Sequence, residues 1–243
     1  MRPLLLLVLF LCLTACKSQS DPANSANAPS ETIVSSTPPF KTKEPERYRA
    51  TRIITINSPN GEATVTKTSI ARDGDLRRHE SETNAKVVAY LDLPEGRFVL
   101  LPDAKVYADL ATEAAVSTAG ADEITPDRLL HTDTESTSYQ KLGSELIGGR
   151  KATKYHVVVN SSTAGNVTRS ETLIWIDEAL NMPIRSETKS SDGTRITTEL
   201  ADISLEIDKQ LFQIPEGYEK IAFTEFRKRL TTLDEKKESQ PRR

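Results

Sequence analysis

Cysteine is nearly absent from this 243-residue chain: there are two, Cys12 and Cys16. Cys12 sits inside an apolar N-terminal run, and once that run is removed no intramolecular disulfide can form. Histidine is scarce too, and His79, His131 and His156 lie far apart with no ligand-spaced pair for a metal. His131-Thr132-Asp133 falls on a polar stretch and makes a poor acid–base pair. There is no basic excess, the net charge being −3, so nucleic acid is not expected as a partner. The sequence holds no G-x-S-x-G elbow, no phosphate-cradling glycine loop and no C-x-x-C. Asp73-Gly74-Asp75 lacks the rest of a calcium loop. No cofactor is expected, and no enzymatic activity.

What is present begins at the N-terminus. Arg2 precedes the apolar stretch Leu4 to Leu13, too short to span a bilayer, and small residues follow. That is the pattern of a signal peptide. Leu13-Thr14-Ala15-Cys16 resembles the lipobox of bacterial lipoproteins. The resemblance implies a signal peptide over residues 1–15, lipid on the Cys16 sulfur, and a chain held on a membrane. Lys17 stands where an Asp would resemble an inner-membrane retention signal, which favours the periplasmic face of the outer membrane. Residues 16–45 are rich in Ser, Thr, Asn, Ala and Pro, with few large apolar side chains to offset ordering entropy. They read as a disordered tether with a reach of about 30 Å.

From Tyr48 the pattern turns to β. Runs of Ile, Val, Thr and Tyr predict strands at 48–56, 62–72, 76–82, 86–93, 97–101, 105–110, 151–160, 167–177, 184–190 and 194–207. Pro59-Asn60-Gly61 marks a tight hairpin turn. Apolar parity changes between Leu200 and Ile203, which predicts a β-bulge. Residues 111–149 break the pattern: 111–118 is helix-permissive, Thr125-Pro126-Asp127 opens a second short helix, and 139–149 reads as irregular. In the tail, 222–243, Phe223, Phe226, Leu230 and Leu233 share one face of an amphipathic helix, and Lys236 onward reads as a frayed, charged end. The expected fold is mainly β, an antiparallel open barrel of about ten strands with a helical lid at 111–149 and a C-terminal helix.

Three blocks carry a resemblance. Leu173-Ile174-Trp175-Ile176-Asp177 with Leu180-Asn181-Met182-Pro183-Ile184-Arg185, the stretch Leu211 to Tyr218, and Leu142-Gly143-Ser144-Glu145 with Ile147 to Lys151 resemble the LolA-like superfamily. The likeness covers roughly 46–221, which sets the domain, with 222–243 an addition. It implies an incomplete β-barrel with helices in its mouth, a fold used by carriers and receptors of lipoproteins and by envelope-sensing domains. The long amphipathic helix that precedes the first strand in such domains is missing, since Pro38 to Pro45 forbids it. Alternation gives a candidate apolar lining of Ile54, Ile56, Val87, Ala89, Leu91, Phe98, Leu100, Ile174 and Ile176. The expected partners are the membrane, through lipid on Cys16, and an acyl chain, lipid or lipidated protein held by that lining. The alternative is a protein-interaction or envelope-sensing module with a filled core. Trp175, the single tryptophan, fits core packing better than an exposed binding role.

Overall fold

A computed structural model of the chain describes residues 34–83, 86–110, 136–163 and 166–238. Cys16 and residues 111–135, the greater part of the expected lid, lie outside the described residues. Thirteen strands form one sheet: β1 (Val34–Ser35), β2 (Arg47–Asn57), β3 (Ala63–Asp73), β4 (Leu76–Thr83), β5 (Lys86–Leu93), β6 (Gly96–Leu101), β7 (Val106–Asp109), β8 (Ser136–Ile147), β9 (Arg150–Thr163), β10 (Asn166–Asp177), β11 (Pro183–Lys189), β12 (Arg195–Ser204) and β13 (Glu219–Lys220). The order is β1-β8-β9-β10-β11-β12-β2-β3-β4-β5-β6-β7-β13, open at both ends, and every pair is antiparallel except β7–β13. One α-helix, α1 (Phe223–Glu238), ends the described chain.

Most boundaries follow the alternation read from the sequence, and the turn chemistry explains the registers. Gly61, with φ +87°, closes the β2–β3 hairpin, and Ser58 donates its N–H to Glu62 O at 2.8 Å. A β-branched side chain at such a φ would be strained. In β12 the register against β2 slips between Ala201 and Ser204, with Asp202 at φ +54°, so the bulge lies where the apolar parity changes.

Two expectations fail. Residues 139–149, read as irregular, belong largely to β8, a strand of 12 residues paired with β9 along its length. Its Gly, Ser, Thr and Gln content hides the alternation. A bulge between Lys141 and Gly143 then shifts the phase within it. That part of the expected 111–149 lid is sheet. Residues 34–45, assigned to the tether by composition, pack on the sheet. Val34 and Ser35 pair with Gln140 and Tyr139. Phe40 stands edge-on to Tyr139 (5.8 Å between centroids) and tilted over Tyr155 (4.7 Å). Lys43 donates its backbone N–H to Asn181 O at 3.0 Å. The Glu44 carboxylate accepts from Tyr48 Oη at 2.8 Å, Arg72 Nη1 at 2.9 Å and both terminal nitrogens of Arg77 at 3.1 and 2.9 Å. This strap carries no regular element between residues 36 and 46 and runs from β8 and β9, past the β10–β11 turn, to β3 and β4.

Burial raises the pKa of the Glu44 carboxyl, but the Arg77 and Tyr48 hydrogen bonds and the charges of Arg77 and Arg72 outweigh it, and it stays below the ordinary 4.5. Burial and the facing Glu44 charge push the Tyr48 phenol up.

A candidate apolar trough on one face of the sheet

Side chains of residues opposite one another on neighbouring strands point to the same face, and successive residues alternate. Following the registers across the sheet builds two adjacent rows. One runs Thr66, Ile54, Thr198, Ser186, Ile174, Tyr155, Lys141 over β3, β2, β12, β11, β10, β9 and β8. The other runs Thr64, Ile56, Ile196, Thr188, Thr172, Val157, Tyr139 over the same strands. At about 4.8 Å per strand the rows are about 29 Å long.

The rows are closed at one end and open at the other. At the β8–β9 end Tyr139 and Tyr155 are buried beneath Phe40, and burial raises both phenols. Ile174, Ile176 and Val157 are buried in the same cluster. In the middle, Ile54, Ile196, Thr172 and Thr188 are half-buried, and the hydroxyls of Thr172 and Thr188 bond each other at 3.0 Å, so neither presents an unmet polar group. At the β3 end Thr64 and Thr66 are exposed and Ile56 is 37% exposed. The rows contain isoleucines, threonine methyls and aromatic rings, and Lys141 is their single charged residue. They hold no carboxylate and no histidine. The surface suits a long apolar group.

The sequence-derived lining divides between the two faces. Ile54, Ile56, Ile174 and Ile176 lie on the face of the rows. Tracing register from Ile54 through Thr66 and Thr68 to Ser81 and Val88 puts Val88 on that face too. Val87, Ala89 and Leu91 are therefore on the other, with Phe98 and Leu100 opposite Leu91 and Ala89. Ala89, Leu91, Phe98 and Leu100 form a filled cluster there under Ile214 and Tyr218. The candidate lining does not come together as one surface. Alternation within a strand fixes which residues share a side, but not which side it is. That depends on pairing across strands.

Tracing register also adds residues the sequence reading missed: Ile196, Thr172, Thr188, Val157, Tyr139 and Tyr155. Ile196 lay inside an expected strand, and its Ile–Thr alternation was the available signal.

Trp175 is on the opposite face, 3% exposed, its Nε1 donating to Glu145. Lys154 Nζ lies 4.6 Å and the Arg185 guanidinium 5.2 Å from the ring. It is a packed residue enclosed by cations. Asp177, 1% exposed, accepts from Arg150 Nε at 2.5 Å and from the N–H groups of Ala179 and Leu180, which fixes the β10–β11 turn.

No family model matches the sequence, and neither does any curated protein sequence. Among solved structures the chain is similar to a LolA superfamily protein from Nitrosomonas europaea, with 11% identity over 69% of this chain and 90% of that one (TM-score 0.31). It is similar to a putative outer membrane lipoprotein-sorting protein domain from Vibrio parahaemolyticus, with 11% identity over 69% and 89% (TM-score 0.27). It is also similar to the Pseudomonas aeruginosa MucA/MucB complex structure, with 13% identity over 69% of this chain and 55% of that one (TM-score 0.41).

Proposed function

We propose that this chain is a non-enzymatic envelope lipoprotein, anchored by lipid on Cys16, that lays an acyl chain of a lipid or lipidated protein along the two rows. The observation that carries the reading is the gradient along them. The β8–β9 end is sealed by Phe40, while Ile54, Ile196 and Ile56 are left half-buried to exposed. An acyl chain gains about 0.8 kcal/mol for each CH₂ taken from water there. The rows need no reacting group for this. The lipobox-like Leu13 to Cys16 and the LolA-like sequence blocks point the same way, to the periplasmic side of an outer membrane. No described helix is long and apolar enough to cross a membrane.

The test is copurification. The full mature chain, extracted and stripped of its own anchor by mass accounting, carries a stoichiometric second acyl species in native mass spectrometry, and Ile56→Asp loses it. A wild-type protein with no such species sinks the reading. Cys16→Ser leaves the membrane fraction or accumulates uncut; if it matures and stays bound, Cys16 is not the anchor.

The second reading, a protein-interaction module with a filled core, is favoured by the burial of Ile174, Ile176, Tyr139 and Tyr155 by the chain itself. It predicts no copurified lipid and retention of a protein partner.

A further inference from the structure

The face opposite the rows has a depression of about 230 Å³ where β2, β3 and β4 run beside the segment that follows the β12 bulge. Its origin is local. Thr51 lies opposite Ser69, and Arg49 opposite Ala71, so Thr51, Ser69 and Ala71 make a floor of small side chains beside Arg49. Glu80 and Arg78 follow on β4, opposite Ser69 and Ala71, and Leu211 walls the far side. The volume is below the roughly 300–1,000 Å³ of sites for drug-sized ligands, so the occupant is small.

The charges select its class. Arg78 and Glu80 neutralise each other at 2.6 Å, and Arg78 also donates to Leu211 O at 3.2 Å. Arg49 and Asp202, also in the lining, differ. Neither side chain makes a hydrogen bond or ion pair among the described residues. Arg49 is opposite Ser204 on the neighbouring strand, and Asp202 is lifted out of the ladder by the bulge at φ +54°. Both side chains are exposed, and both line the depression.

We propose that this depression binds a small zwitterion of the free α-amino-acid class, its carboxylate on Arg49, its ammonium on Asp202 and its side chain over Ala71 toward Leu211. A ligand with one charge satisfies one partner and brings either an apolar end or no group to the other. The site is independent of the acyl-binding reading, since the two lie on opposite faces.

The experiment is a titration of the full chain with glycine, L-alanine, acetate and methylammonium, followed by amide shifts of Thr51 and Ser69. Glycine and alanine give saturable shifts, and acetate and methylammonium bind at least about tenfold more weakly. Arg49→Gln and Asp202→Asn each weaken alanine by about tenfold or more. Ser69 is exposed, so Ser69→Leu fills the floor, abolishing binding with an unchanged melting temperature. Absence of saturation with the amino acids, an equal response to acetate, or unchanged affinity in both charge variants overturns the site.

Discussion

The two halves of the sheet use the same alternation and end differently. Along β5–β7 both faces are covered by the returning C-terminal chain. On one, α1 sets Phe226, 1% exposed, with Phe223 and Leu230 against Val88, Val99, Leu101, Val106 and Ala108. Lys86 Nζ donates to Leu230 O at 2.5 Å and fastens the helix. On the other, Ile214 and Tyr218 close over the β5–β6 side chains. Along β2 and β12, Ile54, Ile56 and Ile196 stay half-buried or more exposed. An apolar strand face is thus core or site according to what returns to cover it, and the strand itself carries no mark of the difference.

The largest way to break the contrast is at the covered end. Phe226→Ala should cost about 3–5 kcal/mol, read as a lower denaturation midpoint, because no described neighbour can fill the space. A loss under about 1 kcal/mol would mean α1 is a loose appendage. Next is the strap. A chain starting at Pro45 should lose about 2–4 kcal/mol against one starting at Val34, from Phe40 burial and the Glu44 bonds together; equal midpoints would return 34–44 to the tether. Glu44→Gln alone should cost about 1–3 kcal/mol by leaving Arg72 and Arg77 short of a carboxylate.

The same variant has a pH signature. Glu44 is held below its ordinary 4.5, so its stabilisation is present above that value and disappears as pH falls through the lower folded value. Asp177, raised by burial but lowered further by Arg150 and two N–H groups, acts in the same sense below its ordinary 3.8. Wild type should lose stability below pH 4.5 more steeply than Glu44→Gln; parallel curves would assign the acid loss to other carboxylates. The smallest stability effect belongs to the open end. Ile56→Asp should change stability by no more than about 0.5 kcal/mol while abolishing acyl copurification. A large melting shift would show Ile56 to be core.

Strand positions were legible because period-2 alternation is local: β5 was read to the residue, and β2, β3 and β10 to within one at each end. The β12 bulge was legible for the same reason. The trough was not. Val87, Ala89 and Leu91 alternate as cleanly as Ile54 and Ile56, and only the register through Thr68, Ser81 and Val88 separates them. The strap was hidden by averaging: one phenylalanine and one glutamate in a polar, proline-rich stretch determine its path through contacts 28 and 33 residues away, as with Arg72 and Arg77.

The two-residue β1 has a mechanical consequence. Tension applied at Val34 meets a pairing with β8 that is two residues long. That contact yields first, and the load then passes to Phe40 and afterwards to Glu44, before any long strand is stressed. Residues 34–46 fully extended span at most about 45 Å, so a pulled molecule should give one early lengthening within that limit and keep the rest of the sheet intact. The strap acts as a mechanical fuse in series with the sheet. A first rupture of much greater length would show that force bypasses it.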